Sequence, residues 1–154
     1  MSPHIVIDPQ SVRLRGIGPS TGEIWFEFGS SAFPTPHWKD FVVVILEAWM
    51  AALLRIARRS STFERVHFMD GPYHIEIRRA AKRGLELRAV EQPNTERARA
   101  NVSIDALMGD LWRAADAIIP AARALGDASV DLVRLGEALP EVRREVIKLL
   151  NRSD

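Results

Sequence analysis

Hydrophobic and polar residues alternate with a period of two through "EIWFEF", residues 23–28, setting Ile24, Phe26 and Phe28 on one face and Glu23, Trp25 and Glu27 on the other. Successive side chains of an extended backbone leave on opposite sides, so this period predicts a half-buried strand. "HIVI" and "SVRLRGI" precede it, separated by Asp8-Pro9 and followed by the turn-forming "GPSTG". The first 30 residues therefore predict three short strands. The alternation returns after residue 60 in "RVHFM", "YHIEIRR", "LELRAV" and "ARANVSI". There Tyr73, Ile75 and Ile77 oppose His74, Glu76 and Arg78, while Leu85, Leu87 and Ala89 oppose Glu86 and Arg88. One apolar face and one charged face predict an antiparallel sheet with a wet side.

Between the two strand groups the pattern changes. Every residue from Phe41 to Leu54 except Glu47 is apolar, and Arg55, Arg58 and Arg59 follow. This predicts a helix buried over most of its circumference, with cations at the negative end of its dipole. It is shorter than the ~20 residues that cross a bilayer. Thr35 is the expected N-cap, Pro36 the first helical residue, and Trp38, Phe41, Ile45 and Trp49 the core-facing stripe. The chain from residue 103 onward reads as helical. "DALMGDLWRAADAIIPAARALG" carries Leu107, Leu111, Ala114, Ala115 and Ile118 on one stripe, after Ser103 or Asp105 as cap, bends at Pro120 and closes at Gly126. Pro140 predicts a break before a separate last helix, "PEVRREVIKLLNR". Strands, one helix, strands, then helices make a single α+β domain over residues 1–154. Its expected form is two-layered, a mostly antiparallel sheet with one helix inserted between strand groups and C-terminal helices.

Composition matters mainly through what it removes. The chain has no cysteine, which excludes disulfide frameworks, thiol nucleophiles, zinc knuckles and iron–sulfur sites. The opening "MSPHIVIDPQ" shows neither a basic leader nor an apolar run before a cleavage site, so a cytoplasmic location is expected. A net charge of +1 conceals an asymmetry: residues 55–99 hold 11 basic and 6 acidic residues, net +5, and the remainder 10 and 14, net −4. One region is basic and the rest mildly acidic, which bears on partners.

The candidate chemistry gathers around "FMDGPYHIEI", residues 68–77. Counting inward from the turn pairs Phe68 with Tyr73 and His67 with His74, so both histidines fall on the polar face beside Arg65 and Glu76. With Asp70 at the tip, these residues form the strongest small-ligand or catalytic candidate. Asp, Gly and Pro also favour turns for backbone reasons alone. His4, His37, His67 and His74 lack the spacing of metal ligands, and neither a metal nor a cofactor is expected. No G-x-S-x-G, phosphate-binding loop or dinucleotide fingerprint is present. Arg78, Arg79, Lys82 and Arg83 surround a hairpin tip near Arg88, Arg97 and Arg99, a surface that could meet nucleic acid. Glu76, Glu86 and Glu91 interrupt that surface, and no aromatic ladder accompanies it, so nucleic acid ranks second.

"WKDFVVVILEAW", followed some twenty residues later by "FMDGPYHIEI", resembles small bacterial α+β proteins with W-x-D-F, an apolar helix ending in Trp, and F-M-D-G-P-Y. That general type includes immunity proteins of polymorphic toxin systems. The resemblance spans roughly residues 24–150 in element order and supplies no catalytic residues. It implies a protein that works by binding. The expectation is a non-enzymatic, protein-binding module, an immunity or accessory protein that masks a partner such as a toxin. Trp25, Asp70, His67, His74, Glu76, Arg78 and Arg88 are the expected contacts, with Glu23, Glu27 and Glu86 available to a basic partner. A homodimer through the apolar helix or the C-terminal helices is compatible with the same pattern.

Overall fold

The structure is a computed structural model and describes residues 2–152. Its first antiparallel sheet contains β1 (His4–Arg13), β2 (Thr21–Phe28) and β3 (Ser31–Phe33) in that order, with the short β4 (Lys39–Asp40) also on β2. Helix α1 (Val42–Ala57) follows. The second antiparallel sheet is β5 (Phe63–His67), β6 (Tyr73–Arg79), β7 (Gly84–Glu91) and β8 (Thr95–Ser103), in chain order. Helices α2 (Ile104–Ala124) and α3 (Val130–Asn151) complete the fold. The class is α+β, as the pattern predicts, and the strands divide into two sheets on either side of α1 in the chain.

Helix α1 is the centre of the core. Val42, Val43, Ile45, Leu46, Trp49, Met50, Leu53 and Ile56 are all buried along it, and it touches β2, β5, α2 and α3. Each such side chain contributes roughly 1.5–3 kcal/mol relative to exposure. Its neighbours include Phe26, whose ring centroid lies 5.3 Å from that of Trp49, and Phe68, at 5.2 Å from the same indole.

Three local expectations are corrected. Asp8-Pro9 does not divide two strands, because β1 runs through it with an irregularity between Asp8 and Arg13. The Asp8 carboxylate accepts from Gln10 N at 2.9 Å, and Ser11 Oγ accepts from Glu23 N at 2.8 Å. A proline on an edge strand at a bulge breaks no ladder bond that the sheet needs. Helix α1 begins at Val42 and not at Thr35–Pro36. The preceding residues are taken by β2: Ile24 N donates to Trp38 O at 2.8 Å, Glu23 pairs with Lys39 and Gly22 with Asp40, while His37 has φ 60°. Trp38 and Phe41 thus leave the predicted helical stripe, and only Ile45 and Trp49 of that set are helical core.

The third correction is α3, one continuous helix through Pro140. Proline removes one i→i−4 bond, here to Gly136, and that loss is tolerable where the freed carbonyl faces water. Pro140 is exposed, as is Pro120 inside α2, so both prolines sit on wet faces. Ser103 and Ser129 cap the two helices, each hydroxyl accepting a backbone N–H at 3.2 Å.

Candidate functional site

The two segments that carry the sequence resemblance meet in space at one carboxylate. Asp40 is buried at the end of β4, and its two oxygens accept three hydrogen bonds. Oδ1 takes Phe41 N at 2.7 Å, at the entrance to α1. Oδ2 takes Trp38 Nε1 at 3.0 Å and Asp70 N at 3.1 Å. A buried carboxylate needs such donors, and its charge favours the positive end of the following helix. Aromatic packing reinforces the junction: Tyr73 meets Trp38 edge-on at 5.3 Å and Phe33 at 5.6 Å. Phe68 N donates to Tyr73 O at 3.1 Å, closing the turn with the predicted pairing. Gly71 has φ +71°, and a Cβ there would lie 2.8 Å from Tyr73 Cε2 and 3.3 Å from Trp38 Cη2. The turn admits no side chain at that position.

Beside this junction lies an open cleft of ≈ 440 Å³, lined by Arg15, Thr21, Lys39, Asp40, Phe41 and Asp70 among others. Asp70 is exposed, as expected, and its Oδ1 accepts a hydrogen bond from Gly71 N at 3.1 Å. Among the described residues no ion pair occupies Arg15, Lys39 or Asp70. Large apolar side chains accompany these charges: Phe41 is 45% exposed, Ile17 98% and Met69 56%. Phe41 lines the cleft, Ile17 precedes its wall residue Gly18, and Met69 precedes Asp70. Pattern reading missed Arg15, Ile17 and Lys39, and set Phe41 in the core-facing stripe of the helix, whereas it is 45% exposed. The available signal was Ile17, an isolated apolar residue between Gly16 and Gly18, where a core role is hard to build.

The polar face of the second sheet is differently arranged. His67 pairs with His74 in the β5–β6 register, with ring centroids 5.4 Å apart. His74 is buried, however, and not exposed as expected. Its Nε2 lies 3.4 Å from Glu76 Oε2 and its Nδ1 3.3 Å from Gln92 Nε2. Burial, with His74 and Arg65 nearby, pushes the His67 imidazole below its usual pKa. Neither histidine lines the cleft at Asp70. The three residues proposed as one catalytic or ligand-binding group are therefore divided between a cross-strand pair, of which only His74 is buried, and an open turn. Among the described residues no group of three or more His, Asp or Glu side chains converges as a metal site requires.

Glu76 and Arg88 are joined to a charge network. Arg88 donates to Glu76 at 3.0 Å and Glu96 at 2.8 Å, while Arg99 donates to Glu86 at 2.8 Å and Glu96 at 2.7 Å. Burial opposes the charge on Glu76, but hydrogen bonds from Arg88 and His74 outweigh it and hold the carboxyl below its usual range. The arginines around this face are also occupied. Arg97 is bonded to Glu91, Arg78 lies over the Phe63 ring at 4.8 Å, and Arg65 reaches Glu76 at 3.5 Å. Arg79 donates to Ile56 O at 2.7 Å and Arg83 to Leu149 O, the last turns of α1 and α3. These two guanidiniums serve as C-terminal caps, where helix carbonyls lack partners.

Trp25 is corrected as well, since it is buried and offers no surface anchor. His37, itself paired with Glu23 at 2.6 Å, covers it with ring centroids 5.1 Å apart. Comparison of the chain with protein-family models, curated proteins and solved structures finds no significant match.

Proposed function

We propose that the protein is a non-enzymatic binding module whose partner is another protein, docking on the cleft between residues 15–19, 39–41 and 69–70. The reading is carried by one observation: exposed Phe41 lines one cleft with Arg15, Lys39 and Asp70, charges without an internal ion pair, and exposed Ile17 and Met69 are the chain neighbours of its wall residues Gly18 and Asp70. An exposed apolar side chain flanked by charges that form no internal ion pair is an ingredient of a protein interface. Mixed signs within one cleft suit a partner of mixed charge and steer its orientation more than its affinity. In its most concrete form this is an immunity or accessory protein that masks a toxin by occlusion. The cytoplasm is the compartment this reading assumes; among the described residues no helix is long and apolar enough to cross a membrane.

The nucleic-acid alternative loses support from the bonding of Arg79, Arg83, Arg88, Arg97 and Arg99 to carbonyls and glutamates. Phosphate binding would have to break those bonds first. The test is affinity capture from host lysate with wild-type bait, Phe41→Ala and Asp70→Arg. The reading expects a stoichiometric protein partner retained by wild type and lost by both variants. A partner retained equally by both variants overturns the cleft, and no partner at all overturns the binding function.

A further inference from the structure

We infer that α3 carries a self-complementary face through which two copies of this chain associate as an antiparallel pair. The observation is a stripe on its exposed side: Val133, Glu137, Pro140, Arg144 and Ile147. Their spacing of four, three, four and three residues keeps them on one face of a helix. Val133 is 54% exposed and Ile147 49%, unusual for large aliphatic residues on a helix whose opposite side buries Leu132, Leu135, Val142 and Leu149. Glu137 and Arg144 have no ion pair among the described residues, although Arg58, Glu141, Glu145 and Lys148 around them do. Seven residues separate the two, about 10 Å along the axis, too far to pair within one helix.

A second copy running the other way, with the two-fold axis near Pro140, changes this. Glu137 of one copy comes opposite Arg144 of the other, and the same pair forms again across the axis. Val133 comes opposite Ile147 within one residue of register. The face therefore satisfies itself, as an isologous interface requires: two identical ion pairs flanked by two apolar pairs. Pro140 lies at the crossing point, exposed on the same face, where its compact ring carries no charge to oppose close approach. A single helix crossing of this length is at the small end of specific interfaces, so the pair is concentration-dependent. This inference uses no residue of the proposed partner cleft and stands or falls separately.

The test is sedimentation equilibrium of the full chain from about 1 μM to about 500 μM, a range that brackets weak dimers. Wild type should associate to a dimer within it. Glu137→Arg and Arg144→Glu each place like charges opposite each other and should weaken association about tenfold or more. An equimolar mixture of the two variants should recover the dimer, because in the mixed pair every facing charge is again opposite in sign. Both sites are exposed, and circular dichroism of each variant checks that the fold is kept. A wild-type monomer across the range overturns the inference. So does a dimer indifferent to the single substitutions, or a mixture that associates no better than either variant alone.

Discussion

Replacing Asp40 by asparagine tests whether the two resemblance motifs form one structural junction. The carboxylate accepts from Phe41 N, Trp38 Nε1 and Asp70 N, using both oxygens. Asparagine has one acceptor oxygen, so any orientation points its amide N–H at one or two of those donors. Losing one hydrogen bond to a charged group costs about 1.5–3 kcal/mol. The other bonds weaken to neutral strength, and the interaction with the start of α1 falls by about 0.5 kcal/mol. Relief from burying a charge offsets part of this, leaving a net loss of about 2–3 kcal/mol. For a chain of 154 residues that corresponds to a fall in Tm of roughly 4–12 °C. Urea unfolding followed by circular dichroism gives the free energy, and the NMR signals of Trp38 Nε1–H and Asp70 N–H report the bonds directly. Lys39→Ala, an exposed neighbour, should stay within about 0.5 kcal/mol of wild type. An Asp40→Asn protein as stable as wild type, with both signals unmoved, would refute the reasoning.

Other outcomes follow from the same structure. Gly71→Ala should cost about 1–3 kcal/mol, since alanine meets both a left-handed backbone and the Tyr73 ring; thermal unfolding measures it, and an unchanged midpoint counts against the close packing. Glu64, Glu76, Glu96 and Asp127 are all held below their usual pKa. Their contribution is therefore complete above the unfolded carboxylate range and is lost as pH falls from about 4 through the folded values, which urea midpoints against pH will trace. For Asp127, burial opposes the charge, but bonds from Ser129 and Ser20 prevail, so Asp127→Asn should flatten that acid limb. His67 is shifted down by partial burial and by the nearby His74 and Arg65, so its neutral form is favoured in the fold; stability should decline slightly as pH drops below about 6.5, and His67→Gln should remove that step. Random-sequence DNA at low salt should show no binding in fluorescence anisotropy, whereas salt-sensitive binding lost on Arg78→Glu would reinstate the nucleic-acid reading.

Much of the fold was legible because it depends on periodicity. The strand "YHIEIRR" coincides with β6, the Ser103 cap and Gly126 stop of α2 are where the pattern sets them, and the His67–His74 register follows from counting across a turn. Local rules failed where a distant segment competed for the same backbone. Thr35-Pro36 has the chemistry of a helix start, yet β2 takes Trp38 O and pairs with Lys39, and α1 begins six residues later. Pro140 reads as a helix break, but packing of α3 against α1 and α2 outweighs one lost bond on a wet face.

The candidate site was less legible for the same reason. Asp70 was visible as an exposed turn residue, and the charges of Glu76 and Arg88 as members of a polar face. Sequence order alone determined the α+β class, the apolar central helix, the wet face of the second sheet and the absence of thiol chemistry. Only the tertiary structure decided which charges are consumed internally, because an ion pair or a helix cap depends on three-dimensional distance. Arg79 at the end of α1, Arg83 at the end of α3 and Asp40 beneath the 68–73 turn are contacts across 23, 66 and 30 residues. Around the cleft, Arg15, Lys39 and Asp70 keep no internal ion pair and share its wall with exposed Phe41, a grouping that no periodic pattern could bring together.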